Sequence, residues 1–190
     1  LHDALPIFAL IGENGCGKTT LGKILSGLIR CRQGAFYIDG KNVKQQKLSD
    51  YVYFVMQEAD HQLYTDSVTE ELRLGNKKIP GIDEKVSRIL KMLHLENFKD
   101  CHPYALSGGQ KQRVTIGAAI VKGSPVIYFD EPTSGLDYDS MVRVSNLIEQ
   151  LSNSGVIVFV VSHDFEFIVR TCTEVVQLDD HGAIQNHRPA

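Results

Sequence analysis

The stretch Gly12-Glu13-Asn14-Gly15-Cys16-Gly17-Lys18-Thr19, followed by Thr20, fits the pattern G-x-x-x-x-G-K-[ST]. It constrains the fold because it works in one setting, after a buried strand and at the start of a helix. Both flanks comply. Ile7-Phe8-Ala9-Leu10-Ile11 is a short apolar run suited to a buried parallel strand. From Lys18 to Leu28, the residues Leu21, Ile24, Leu25 and Leu28 fall on one helical face. The glycines between strand and helix let backbone N–H groups converge on a phosphate at the helix N-terminus. Lys18 is then placed to reach β- and γ-phosphates, and the Thr19 hydroxyl to ligate Mg²⁺. Cys16 sits at a loop position whose side chain should point away from the phosphates.

Two further apolar runs end in chemistry. Pro125-Val126-Ile127-Tyr128-Phe129 leads into Asp130-Glu131-Pro132. A carboxylate at the C-terminal end of a parallel strand, near a phosphate loop, can hold the Mg²⁺ shell, and Asp130 takes that role. Glu131 can accept a proton from an attacking water. Val156 to Val161 is rich in β-branched residues, and His163 follows it, where it can donate to a γ-phosphate. Alternating strands and helices of this kind predict an α/β fold.

Leu106-Ser107-Gly108-Gly109-Gln110 precedes a predicted helix from Gln110 to Val121. It offers a second helix N-terminus for an anion. One nucleotide is not easily held by two such sites in one compact domain.

In order and composition, these motifs resemble the ATP-binding subunits of ABC transporters over nearly the whole chain. On that resemblance Gly12 to Thr19 is the Walker A motif, Gln57 the Q-loop and Leu106 to Gln110 the signature. Val126 to Asp130 with Glu131 is Walker B and the catalytic glutamate. Ser134-Gly135-Leu136-Asp137 is the D-loop, and His163 the switch histidine. The resemblance implies a P-loop NTPase with a RecA-like core and a helical signature subdomain. It implies ATP and Mg²⁺, with Gln57 joining Thr19 and Asp130 near the metal. It also implies a second ABC ATPase subunit, identical or homologous, whose phosphate loop this chain's signature completes. Gln57 to Val68 and His102-Pro103-Tyr104 are similar to the energy-coupling-factor and cobalt-type importer ATPases. That likeness implies a transmembrane transporter subunit, a substrate-capture component and uptake of a vitamin or transition-metal ion. The segment from Asp60 to Ser67, with Leu63 and Tyr64, is expected to dock the transmembrane partner.

The chain has 190 residues, enough for one domain with a sizeable core. The expected layout is a core over about 8–57 and 106–190, with a helical lobe over about 58–105. In that lobe Val86, Ile89, Leu90 and Leu93 mark an amphipathic helix, and Lys77 to Asp83 reads as a loop. Ala35 to Asp39, followed by Gly40, reads as antiparallel β structure. Val144, Leu147, Ile148 and Leu151 line another helix. A net charge of -3 provides no broad basic field, so a nucleic-acid partner is not expected. Lys41, Lys44 and Lys47 read as a solvated run. Cys16, Cys31, Cys101 and Cys172 show neither a C-x-x-C pair nor a zinc spacing, which suits a reducing cytosol. No apolar run approaches the ~20 residues of a membrane span. The expected location is therefore peripheral, at the cytoplasmic face of the membrane.

Leu1-His2-Asp3-Ala4-Leu5-Pro6-Ile7 fits no motif of the family. It matches a translation of a common sequencing adapter, CTA CAC GAC GCT CTT CCG ATC. Genuine sequence is accordingly expected to start near Phe8, with an incomplete N-terminal β region, a missing adenine-stacking aromatic and a weakly supported first strand. Other readings stay open: an ABC ATPase of another transporter class, a nucleic-acid-linked ABC ATPase, or a binding module that holds nucleotide without turnover. An SMC-like protein would need a long coiled-coil insertion, and a translation factor a second domain with a basic linker.

Overall fold

The computed structural model describes residues 5–179 and the backbone of residues 184–187. Strand β1 is Ile7–Ile11, and β2 (Phe36–Ile38) and β3 (Lys41–Val43) form a separate antiparallel hairpin. Asp39 (φ 49°) and Gly40 (φ 73°) make its turn, the two positive φ values that a tight right-twisted hairpin requires. Strands β4 (Val52–Val55), β5 (Val126–Asp130), β6 (Ile157–Val161), β7 (Glu174–Leu178) and β8 (Ile184–His187) follow. With β1 they form a six-stranded sheet in the order β4-β5-β6-β1-β7-β8. The first five in that order run parallel, and β8 pairs antiparallel with β7.

The first strand is not weakly supported. It lies inside the sheet, paired with β6 on one side and β7 on the other. The expected boundary at Phe8 falls within it: Ile7 is buried, pairs with Val158 and donates its N–H to Thr173 Oγ1 at 3.0 Å. Residues 1–4 of the suspected adapter segment lie outside the described residues.

The described residues form six α-helices: α1 (Lys18–Leu25), α2 (Val68–Arg73), α3 (Ile82–Met92), α4 (Gly108–Lys122), α5 (Tyr138–Asn153) and α6 (Phe165–Thr171). Alternation along the strands separates two apolar layers. Ala9, Val55, Phe129 and Val160 belong to the larger core, with Val144, Leu147, Ile148 and Leu151 of α5. Leu10, Phe54, Tyr128 and Val161 point to the other face, where Leu21 of α1 and Cys16 join them.

Helix α1 is shorter than its apolar pattern predicts. Gly27 (φ 74°) closes it: Leu28 N–H bonds the Lys23 carbonyl at 2.8 Å and Gly27 N–H that of Ile24 at 3.0 Å. Leu28 is left 53% exposed. The loop expected through Asp83 ends early, because α3 begins at Ile82. Val86, Ile89, Leu90 and Leu93 are all buried. Helix α4 packs on α2 and α3 and also meets β4 and α5, so it bridges the expected lobe and the expected core. No helix among the described residues is long and apolar enough to cross a membrane.

Candidate functional site

Four neighbouring parallel strands deliver the site. In sheet order, β4 ends just before Gln57, β5 ends at Asp130, β6 runs out toward His163 and β1 opens into the phosphate loop. Their carboxyl ends lie side by side, so motifs far apart in sequence meet along one edge. A cavity of about 500 Å³ gathers Asn14, Gly15, Gly17, Lys18, Thr19, Thr20, Gln57, Asp130, Glu131 and His163, together with Ser134 and Val161.

The loop's backbone sets its shape. Gly17 caps α1 in the left-handed region (φ 103°) with no side-chain bond to the helix, so the N–H groups of its first turn lack an intrahelical partner, and the residues of that turn line the cavity. At Gly12 a Cβ would lie 2.4 Å from the Leu178 carbonyl oxygen, so only glycine fits against β7. Lys18 is buried and its Nζ donates to the carbonyls of Gly12 (2.8 Å) and Glu13 (2.9 Å). A phosphate would draw it off these carbonyls. Cys16 packs against the apolar layer of Leu10 and Tyr128 and does not line the cavity. Glu13 is exposed at the loop's rim.

Thr19 Oγ1 donates to Asp130 Oδ1 at 3.0 Å. Burial raises the Asp130 pKa, opposed by the Thr19 bond and by Lys23 and Lys18. Glu131 takes φ 50°, a strained value for a non-glycine residue, with its N–H on the Val161 carbonyl at 2.9 Å. Its Oε2 accepts from the His163 N–H at 3.3 Å. Its Oε1 lies 3.4 Å from His163 Nε2 but lacks a hydrogen-bonding geometry to any group. Burial raises the Glu131 pKa, and His163 works against that rise. Gln57 Nε2 reaches Ser134 Oγ at 3.5 Å.

The signature lies elsewhere. Leu106 is buried; Ser107 and Gly108 are exposed. Ser107 Oγ accepts from Gln110 N–H (3.3 Å), and Gln110 Oε1 from Ser107 N–H (2.8 Å), a reciprocal cap that starts α4 at Gly108 rather than Gln110. Gly109 is buried, and a Cβ there would meet Ser140 Oγ at 2.8 Å. None of Leu106 to Gln110 lines the cavity, and neither does Asp137. Asp137 caps α5 by accepting from Ser140 N–H at 2.7 Å, which lowers its pKa.

Two groups at the site escaped sequence reasoning, Ser134 in its lining and Tyr128 below it. Ser134 stood inside the D-loop match without a role of its own. Tyr128 had no polar signal in its apolar strand, yet its hydroxyl donates to the Lys18 carbonyl at 2.7 Å beneath the site. The expected docking segment also divides: Leu63 is buried at 2% exposure, whereas Tyr64 is 73% exposed. Leu63 is therefore core, and of these two residues only Tyr64 offers surface.

The chain belongs to the ABC transporter family, whose model matches residues 4–134. A putative ABC transporter ATP-binding protein of Treponema denticola is 42% identical over 172 residues, which cover 90% of this chain and 35% of that protein. A putative HMP/thiamine import ATP-binding protein of Bacillus subtilis is 31% identical over 185 residues, 96% of this chain and 34% of its own length. The chain thus spans about a third of these relatives (35% and 34%). Among solved structures, cbiO1 of Clostridium perfringens, part of the ABC transporter complex cbiONQ, superposes with a TM-score of 0.85 at 28% identity, covering 98% of this chain and 78% of that one.

Proposed function

We propose that this chain binds and hydrolyses ATP to power a membrane importer, with a vitamin or a transition-metal ion as the cargo. The observation that carries the reading is the one cavity holding Lys18, Thr19, Asp130, Glu131, Gln57 and His163 together. Free N–H groups at α1 and the Lys18 ammonium would take the β- and γ-phosphates. Thr19 and Asp130 suit Mg²⁺, which is commonly held by one or two carboxylates plus substrate phosphates. The ion, when bound, neutralises charge on the phosphate oxygens. Glu131 would then take the proton of the attacking water, with His163 fixing its carboxylate through the backbone N–H. Its raised pKa makes it a stronger base than an ordinary carboxylate.

No signature residue lines this chain's own cavity, which suits completion of a partner's site. A second ABC ATPase, identical or homologous, is the proposed partner. A transmembrane subunit and a substrate-capture component complete the assembly at the cytoplasmic face of the membrane. The likeness to an HMP/thiamine import protein supports the importer class, and the likeness to cbiO1 supports a place in a transporter complex. Glu131→Gln should leave ATP binding intact and lower turnover by ~10²–10⁴-fold, whereas Lys18→Ala should weaken ATP binding itself. Unchanged turnover in Glu131→Gln would remove that residue from the mechanism.

A further inference from the structure

The basic run that the nucleotide motifs leave unused is part of a larger charged patch. Between Leu28 and Lys47 five basic residues stand against one acid, Asp39, a net of +4 in a chain whose total is -3. Arg30, Arg32, Lys44 and Lys47 are all exposed, and among the described residues none of the four joins an ion pair. Like charges held together repel one another unless something of opposite sign meets them. Here the fold holds them together through one side chain. Gln45 Oε1 accepts from Cys31 N–H at 3.0 Å, and Gln45 Nε2 donates to the Ile29 carbonyl at 2.6 Å. That clasp keeps Arg30 within a side chain's length of Lys44, the residue before Gln45. Lys47 N–H bonds the Lys44 carbonyl at 2.9 Å, so the third cation follows one 3-10 turn later.

Apolar groups stand in the same patch. Leu28 is 53% exposed and Ile29 39%. Tyr37, 66% exposed, lies on the β2–β3 hairpin. One cavity is lined by Tyr37, by Leu25 at the end of α1 and by Leu48 of the Gln45 turn, which sets the hairpin beside the other two. Cations grouped around leucine, isoleucine and tyrosine match the chemistry of an anionic bilayer surface. Headgroup phosphates meet the cations, and the acyl boundary takes the apolar side chains. A nucleic-acid backbone would answer the cations alone. The patch begins where α1 ends, about 12 Å along that eight-residue helix from the phosphate loop at its start, so covering one does not cover the other.

We propose that the lobe from Leu28 to Lys47 docks directly on anionic lipid headgroups, without a protein partner in between. The proposal goes beyond the ATP-binding reading and does not depend on it. The peripheral location proposed above puts such a surface within reach.

Binding of the whole chain to vesicles tests this. One set is phosphatidylcholine alone, the other phosphatidylcholine mixed equally with phosphatidylglycerol, and ATP affinity and the thermal melt are measured on the same samples. The unaltered chain should bind the mixed vesicles, weaken as salt rises and ignore pure phosphatidylcholine. Arg30→Gln and Lys44→Gln should each lose about fivefold in vesicle affinity, and together about 25-fold. Leu28→Ser should lose roughly fivefold. ATP affinity should hold in all of them. Lys91→Gln, an equal charge change on α3, should lose less than about twofold. The assignment is overturned if the unaltered chain does not prefer the mixed vesicles, or if the double variant melts like the parent and binds them as tightly. A double variant that does not melt cooperatively gives way to Arg32→Gln with Lys47→Gln under the same criterion. Unchanged binding by Leu28→Ser, or a loss in Lys91→Gln as large as in Arg30→Gln, reduces the effect to net charge and also overturns it. So does tighter binding to a duplex oligonucleotide or to polyglutamate, which would give the patch to a nucleic acid or to an acidic protein. A chain that binds the mixed vesicles as expected but binds no ATP overturns the nucleotide reading and supports this one.

Discussion

Replacing Gly22 by alanine sets helix propensity against packing at the foot of the phosphate loop. In an exposed helix, Gly→Ala gains about 1 kcal/mol. Here the new Cβ would lie 2.3 Å from Tyr128 Cε1 and 2.6 Å from its Cδ1 and Cζ, more than an ångström inside ordinary contact. Tyr128 cannot simply swing away. It is 1% exposed, stacks on Phe54 at 5.5 Å and Phe159 at 6.3 Å, and bonds the Lys18 carbonyl. Overpacking of this kind costs about 1–3 kcal/mol, so the net expectation is a loss of up to ~2 kcal/mol. For a chain of this size that lowers Tm by roughly 2–4 °C per kcal/mol. The displaced element is α1, so ATP binding should weaken as well. Thermal melts and ATP titrations on Gly22→Ala, Tyr128→Val and the double variant form the assay. With the ring removed, the alanine should become neutral or stabilising by up to about 1 kcal/mol. A Gly22→Ala protein at least as stable as the parent, or additive effects in the double variant, would refute the packing argument.

The remaining expectations follow from the same geometry. Glu131 must be ionised to act as a base, and burial raises its pKa, so the acid limb of the kcat/KM profile should lie above the ~4.3 of a free glutamate. The stability sign is opposite: native Glu131 holds its proton longer than the unfolded chain does. Its stabilising contribution is thus present at low pH and lost as pH rises through the unfolded value toward the folded one. Glu131→Gln should consequently raise Tm at neutral pH, and a lower Tm would contradict the burial account. Mixing a Lys18 variant with a Ser107 variant should restore some ATPase activity, because one composite site carries both lesions and the other neither; inactive, verified mixed dimers argue against independent composite sites. Charge substitutions at His61 or Tyr64 should uncouple transport while hydrolysis survives. Cysteines placed there should cross-link to the membrane subunit, and a parallel loss of transport and hydrolysis without cross-links would rule the docking surface out.

Much was legible in the chain itself. A glycine-rich run between an apolar strand and an amphipathic helix needs no distant information, because its conformation is set by local backbone freedom and capping. The same holds for Val86 to Leu93, whose spacing alone assigns the buried face of α3. Locality also explains the errors. Leu28 keeps the apolar period of α1, but Gly27 ends the helix and sends it into solvent. Leu63 and Tyr64 are adjacent and both apolar, and only the neighbours that cover one of them separate core from surface.

The sequence by itself determined which residues are chemically able to meet a phosphate, and that strands alternate with helices. The tertiary structure alone decided that β4, β5, β6 and β1 lie side by side, so that Gln57, Asp130, His163 and Lys18 share a cavity. It alone decided that Ser107 stays outside it and that Tyr128 needs Gly22. The physical reason is that strand order and side-chain contact depend on how whole layers bury one another. Those are long-range terms, and no window of neighbouring residues contains them.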